Sequence, residues 1–322
     1  MRVLVTGGAG FIGSVPVAQL CARGHDVVVL DELSRGHRDL VPAGTPVIEA
    51  DVGEPDRYRD ALDGIDACVH FAASIEAGES MTRPEAFFSN NTAATLRLLE
   101  ALIGAGIRRF VLSSTAAVYG DPVRVPIAED DPTVPTNAYG ASKLLIEGAL
   151  RWLARLRGMS CVALRYFNAA GATPGRGEDH HPETHLIPLM LQVAAGRRDD
   201  IAIFGTDYDT ADGTCIRDYI HVSDLADAHV RAVEQIDDAG LLVCNLGNGG
   251  GFSVREVIEV AREVTGHPIP AREAPRRPGD PAILVASAER ARERLGWKPQ
   301  HTELADIVAS AWDWHRTRWA HA

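Results

Sequence analysis

Thr6-Gly7-Gly8-Ala9-Gly10-Phe11-Ile12-Gly13 decides how this 322-residue chain is read. A short apolar run over residues 3–6 leads into it, and a segment of helical composition follows. Glycines at 7, 10 and 13 let backbone N–H groups approach a pyrophosphate, with the N-terminus of the next helix facing the negative charge. A glycine string alone is a common turn. Here Asp31 stands 18 residues beyond Gly13, at the end of the second apolar run, where a carboxylate can bond an adenosine ribose. Glu32 follows it, and two acids repel a 2′-phosphate. That favours NAD over NADP, although Arg35 and Arg38 keep NADP open. Pro16 falls about one turn into the helix, where the early N–H groups need no intrahelical partner.

Outward from this loop, short β-rich runs alternate with helical segments. Residues 27–30, 47–50, 67–71, 110–113 and 162–166 read as buried strands, and 91–102 as a helix. Continuous apolar strands between helices predict an α/β fold. Its core is a doubly wound, mostly parallel Rossmann sheet, covered on both faces and carried by residues 1–170. Residues 121–136 hold four prolines and can be neither helix nor central strand. Residues 171–185, rich in Gly, Pro, His and acids, lead into a smaller C-terminal α/β substrate domain over 171–322. Helices are expected there at 186–196, 224–235, 253–265 and 304–317, with a strand at 201–204; segments around 215–235 are expected to pack back on the first domain. Helix 139–157 carries a second stripe, Leu145, Ala149, Trp152, Leu153 and Leu156, read first as core and second as a subunit interface.

The formal net charge of −12 excludes a general binder of nucleic acid or acidic membranes. No apolar run reaches the ~18 residues of a membrane span, and the first run is too short for a signal peptide, so a cytoplasmic protein is expected. Cys21, Cys68, Cys161, Cys215 and Cys244 are scattered and mostly in apolar runs, which suits buried free thiols in a reducing compartment. His180, His181, Glu183 and His185 show no helical metal-ligand spacing and read as a solvated loop. The acids Asp207, Asp209 and Asp212 before Gly213 are out of register for a calcium loop. No metal is expected.

Tyr139-Gly-Ala-Ser-Lys143 is the candidate chemical centre. Residues four apart share a helix face, so the phenol and ammonium can enter one cleft, and a nearby cation favours the phenolate. A half-buried Tyr beside a snorkelling Lys would look the same.

Together with VTGGAGFIGS (5–14), VHFAA (69–73), AGES (77–80), SSTAAVYGD (113–121), AYGASK (138–143), LRYFNAAGA (164–172), HLIP (185–188), AIFGTDYDTADGTCIRDYIHVSDLA (202–226) and RRPGD (276–280), these features carry a resemblance over nearly the whole chain. The chain resembles the extended short-chain dehydrogenase/reductase family, and within it the UDP-glucose (UDP-galactose) 4-epimerases. The resemblance implies a homodimeric enzyme that binds NAD and a UDP-sugar and inverts C4 through a transient 4-keto sugar. It implies Tyr139 as acid/base, Thr115 bonding the sugar oxygen, and Lys143 holding the nicotinamide ribose. Phe11, Ile12, Asp51, Val52, Phe71, Ala72, Ala73, Asn90, Ser113 and Phe167 fall at its cofactor positions, beside Gly7, Gly10, Gly13, Asp31 and Glu32. Substrate positions are Asn168, His185, Leu186, Ala202, Ile203, Phe204, Arg217, Arg277, Asp280 and Leu284. Guanidinium forks suit a diphosphate. His185 stands where the family often has Asn, and Ile75 where some members carry a basic residue near the cofactor. Leu284 is smaller than the bulky residue that limits N-acetylated sugars. Related dehydratases and decarboxylases place acids after the catalytic Thr; Ala116 and Ala117 transfer no protons, which points to chemistry confined to C4. A catalytically silent NAD-binding regulator is the reading from another class.

Overall fold

The computed structural model describes residues 1–277 and 280–320; Pro278 and Gly279 of the RRPGD stretch and the last two residues lie outside the described residues. Strands β1 (Arg2–Thr6), β2 (Asp26–Asp31), β3 (Val47–Glu49), β4 (Ala67–His70), β5 (Arg109–Thr115) and β6 (Ser160–Tyr166) form a wholly parallel sheet with strand Gly240–Leu246. Its order is Gly240–Leu246, β6, β5, β4, β1, β2, β3. The winding direction reverses between β1 and β4, which opens a crevice at their carboxyl ends.

These strands read as unbroken apolar runs because both faces are covered. Val3, Val5, Val27, Val29, Val69, Val111 and Val162 point to one face, where helix α1 (Phe11–Ala22) and helix Val222–Gln235 supply Val17, Leu20, Leu225 and Val233. Leu4, Val28, Leu30, Phe110 and Leu112 point to the other, against Leu98, Leu99 and Leu102 of helix Ala94–Gly104 and Ile146 and Leu150 of helix Ala138–Arg157. Burying each such side chain stabilises by roughly 1.5–3 kcal/mol.

A separate core lies beyond residue 170. Ile187, Met190 and Leu191 of helix Leu186–Ala194 pack with Val257, Ile258 and Ala261 of helix Val254–Thr265 and with Ile307, Val308 and Ala311 of helix Leu304–Ala320. Strand Ile201–Phe204 pairs in parallel with Ala271–Ala274 beside them. The helix at 254 starts on a capping box, with Ser253 and Glu256 each satisfying the other's backbone N–H. Strand Gly240–Leu246 and helix Val222–Gln235 return to the large sheet. Among the described residues, no helix is long and apolar enough to cross a membrane.

Three expectations change. Helix α1 makes its first intrahelical bond from Ser14 N to Gly10 O, so Pro16 lies past the free N–H groups and leaves the Ile12 carbonyl without its ladder donor. The 91–102 helix is entered through a wider turn, Phe88–Ala93, before the regular helix Ala94–Gly104. The second stripe of the Tyr139 helix is core only in part: Leu153 packs against the sheet core, but Leu145, Trp152 and Leu156 are 55%, 60% and 67% exposed, while Ile146, Leu150 and Ala154 face inward.

Candidate active site

The glycine loop closes at the carboxyl end of β1. Gly7 takes φ +69°, and a Cβ there would stand 2.6 Å from the Ala72 nitrogen. A Cβ on Gly13 would run into the Gly7 carbonyl, so only glycine lets the loop fold this tightly over the helix start. Asp31, at the tip of β2, is buried and accepts from Ala9 N and Leu33 N, both at 2.9 Å. It thereby pins the loop and keeps lone pairs toward the crevice. Asp51 holds the next turn through Gly53 N at 2.7 Å.

Gly7, Gly10, Phe11, Ile12, Gly13, Asp31, Glu32, Asp51, Val52, Phe71, Ala72, Ala73 and Asn90 line one cleft. Free N–H groups at the glycine turn, an acid at each of two strand ends and an apolar floor between them fit a dinucleotide. Ser34, Ser74, Glu76 and Tyr166 also line it and were not singled out from sequence; Arg35, Ile75 and His180, noted there for other reasons, line it too. The only sequence signal of the first four was proximity to Asp31, Ala73 or the YFN stretch.

Helix Ala138–Arg157 positions the chemical groups. Asn137 caps it by accepting from Gly140 N at 2.8 Å. A Cβ at Gly140 would collide with the Ala117 carbonyl, so this glycine lets the helix start close to the turn after β5. Tyr139 and Lys143 therefore face Ser113 and Thr115 at the end of β5. Lys143 Nζ donates to the Ser113 carbonyl at 3.0 Å, and the Ser113 hydroxyl lies 2.9 Å from that of Tyr166. The Thr115 hydroxyl lies close enough to the Tyr139 phenol to influence its ionisation, and its Oγ1 accepts from Ala117 N at 3.1 Å.

Burial dominates the electrostatics. It drives the Tyr139 phenol well above its ordinary 10, Tyr166 and Glu76 add to the rise, and the Thr115 hydroxyl opposes it. Burial also pushes Lys143 down to about 8. The expected stabilisation of the phenolate by Lys143 is thus outweighed in the ligand-free protein. Tyr139 is a protonated phenol there.

Behind the site, Glu147 and Arg165 form a two-pronged buried pair at 3.0 and 2.6 Å. Ser114 donates to Glu147 at 2.6 Å, and Arg165 donates to the Tyr119 hydroxyl at 2.9 Å, which in turn donates to Asn245. This network ties β5, β6, the Tyr139 helix and strand Gly240–Leu246 together.

A second cluster faces the smaller core. Arg217 pairs with Asp280, and Arg277 lies 4.1 Å over the Phe204 ring. Strand Ile283–Leu284 runs alongside Arg217. Leu284 and Phe167 share an apolar group with Ala116 and Val118, joining this cluster to the end of β5. Asn168 opens a short strand paired to Tyr219–His221, and His185 is the residue before helix Leu186–Ala194. Ser113, Thr115, Tyr139, Lys143 and Phe167 are outside the lining of the dinucleotide cleft.

The 178–185 segment departs from the solvated loop expected. Glu178 is 5% exposed, and Glu178, His180, Glu183 and His185 bring their donor atoms within 4.8 Å of one another.

Residues 3–247 match the NAD-dependent epimerase/dehydratase family. The chain is 54% identical over 317 residues to a UDP-glucose 4-epimerase of Streptomyces lividans, covering 98% of this chain and 96% of that one. Among solved structures, it is similar to a UDP-glucose-4-epimerase from Stenotrophomonas maltophila with bound NAD and formylated UDP-arabinopyranose. That pair has a TM-score of 0.96, 39% identity and full coverage of both chains. The UDP-glucose 4-epimerase from Bifidobacterium longum in complex with NAD+ and UDP superposes with a TM-score of 0.94, at 38% identity over 98% of each chain.

Proposed function

The chain belongs to the NAD-dependent epimerase/dehydratase family, among the UDP-glucose 4-epimerases, and on that premise we propose that it interconverts UDP-galactose and UDP-glucose by inverting C4. The observation that carries the reading is the convergence of Tyr139, Thr115 and Lys143 at the end of β5, with Ala116 and Ala117 following Thr115 in the chain.

NAD, held by the glycine loop and Asp31, supplies a reversible hydride acceptor. With NAD bound beside Lys143, the phenol would first give its own proton to solvent; the resulting Tyr139 phenolate takes the proton of the C4 hydroxyl and later returns it. Thr115 holds the sugar oxygen beside the phenol. Lys143, fixed on the Ser113 carbonyl, brings positive charge to the ribose side of the phenol and lowers the cost of ionising it. Alanines at 116 and 117 leave no acid or base for elimination or decarboxylation, so the keto sugar can only be reduced again. Arg217 and Arg277 hold the diphosphate, Asp280 the uridine ribose, and the 202–204 strand the uracil; the Arg217–Asp280 pair opens to admit the nucleotide. Asn168, His185 and Leu186 complete the sugar side. In this reading, residues 1–170 carry the cofactor and 171–322 the nucleotide sugar, with 222–246 returned to the first unit.

Leu284 favours a second substrate class. Its side chain is smaller than a Tyr and leaves room for an N-acetyl group, so UDP-N-acetylglucosamine is a further substrate. The outward Leu145, Trp152 and Leu156, with Leu96 of the neighbouring helix, form an apolar face suited to a homodimer. Free thiols, four of them buried, suit a cytoplasmic enzyme. Incubation with UDP-galactose tests the function. UDP-glucose is the expected product; no product would mark a silent regulator, and a stable keto sugar a dehydratase.

A further inference from the structure

We propose that Glu178, His180, Glu183 and His185 form a site for one zinc-class divalent cation. His180 Nδ1 and His185 Nδ1 lie 3.1 and 2.7 Å from Glu178 Oε1, and His185 Nδ1 lies 2.8 Å from Glu183 Oε1. Two imidazole nitrogens and two carboxylate oxygens match zinc's tetrahedral donor count, and both are donor types that zinc takes. Imidazole ligands disfavour calcium and magnesium, which take oxygen.

Charge gives an independent reason. The Glu178 and Glu183 side chains are only 6% and 5% exposed, and among the described residues neither has a Lys or Arg ion-pair partner. Keeping two carboxylates out of water costs several kcal/mol each unless positive charge compensates them. A dication does so fully and leaves both rings neutral. His315, 4% exposed with both ring nitrogens unpartnered, lies within electrostatic reach of Glu178.

The position gives the ion a structural task. His180 packs edge-on to Phe11 of the dinucleotide cleft, with ring centres 6.3 Å apart, while His185 immediately precedes helix Leu186–Ala194. The cation clamps the cofactor side of the loop to the substrate side. It engages Nδ1 of His185 and leaves Nε2 for the nucleotide.

The test is metal content of the full chain, purified without a polyhistidine tag, followed by Co2+ replacement and absorption spectroscopy. One zinc per chain, and a tetrahedral Co2+ visible band at one equivalent, are expected. Losing a residue that merely orients a metal ligand costs about 10–100-fold in metal affinity, so loss of a ligand itself in Glu178→Gln or His180→Gln should weaken Zn2+ by more than about 100-fold. His180→Gln, at a half-buried position, guards against misfolding of the Glu178 variant. Substoichiometric metal with no Co2+ band, or uptake undiminished in both variants, would overturn the site.

Discussion

Lys143 is held in place against its own solvation, and removing it should make the ligand-free protein more stable. Burial lowers its pKa from 10.5 to about 8. A shift of that size corresponds to about 3 kcal/mol against the charged form. The bond to the Ser113 carbonyl offsets part of what replacement would gain, about 1 kcal/mol once that carbonyl loses its donor. Lys143→Met, which keeps the stem and drops the charge, should therefore stabilise the nucleotide-free fold by about 2 kcal/mol at pH 7. The sign with pH follows from the direction of the shift. Below about pH 8 the lysine is charged in both folded and unfolded chains, and the full penalty stands. Between about 8 and 10.5 the folded chain sheds the proton first, and the penalty disappears. The variant's advantage should be constant below pH 8, vanish near pH 9.5 and turn into a deficit of about 1 kcal/mol by pH 10.5. Urea unfolding of both proteins at pH 7 and pH 9.5 measures this. A variant less stable than the parent at pH 7, or an advantage independent of pH, would refute the reasoning. The same variant should lose turnover, since a site charge is removed.

Tyr139→Phe should fold, retain NAD and lose about 10²–10⁴-fold in turnover, the range for removing a general acid/base; near-normal rates would remove Tyr139 from the chemistry. Glu147→Ala leaves Arg165 charged and alone in the core, and should cost about 3–5 kcal/mol in urea unfolding. A loss under ~1 kcal/mol there would mean water reaches the pair. With Leu284 in place, the wild-type enzyme should turn over UDP-N-acetylgalactosamine as well as UDP-galactose, and Leu284→Tyr should suppress only the former. Wild-type activity confined to UDP-galactose would contradict that role.

The parts legible in the sequence are those that constrain backbone locally. Glycines 7 and 13 spell out a loop because a Cβ has nowhere to go, and unbroken apolar strands announce a sheet covered on both faces. Long-range pairings left weaker traces. Glu147 and Arg165 each look like surface charges until the fold brings them together. The amphipathic period of the Tyr139 helix gave two apolar stripes, and periodicity alone does not say which faces the sheet. Strand Gly240–Leu246 joins β6 across 73 intervening residues, a pairing with no local signature. The four donors at 178–185 lack regular spacing because a loop, not a helix, gathers them.

The central claim is reversible oxidation at one carbon, with the hydride returned to the carbon it left. UDP-galactose carrying deuterium at C4, turned over in ordinary water and read by NMR, tests this most directly. UDP-glucose with its deuterium retained at C4 is the predicted result. Deuterium lost to solvent, or a keto sugar that accumulates, would contradict the account.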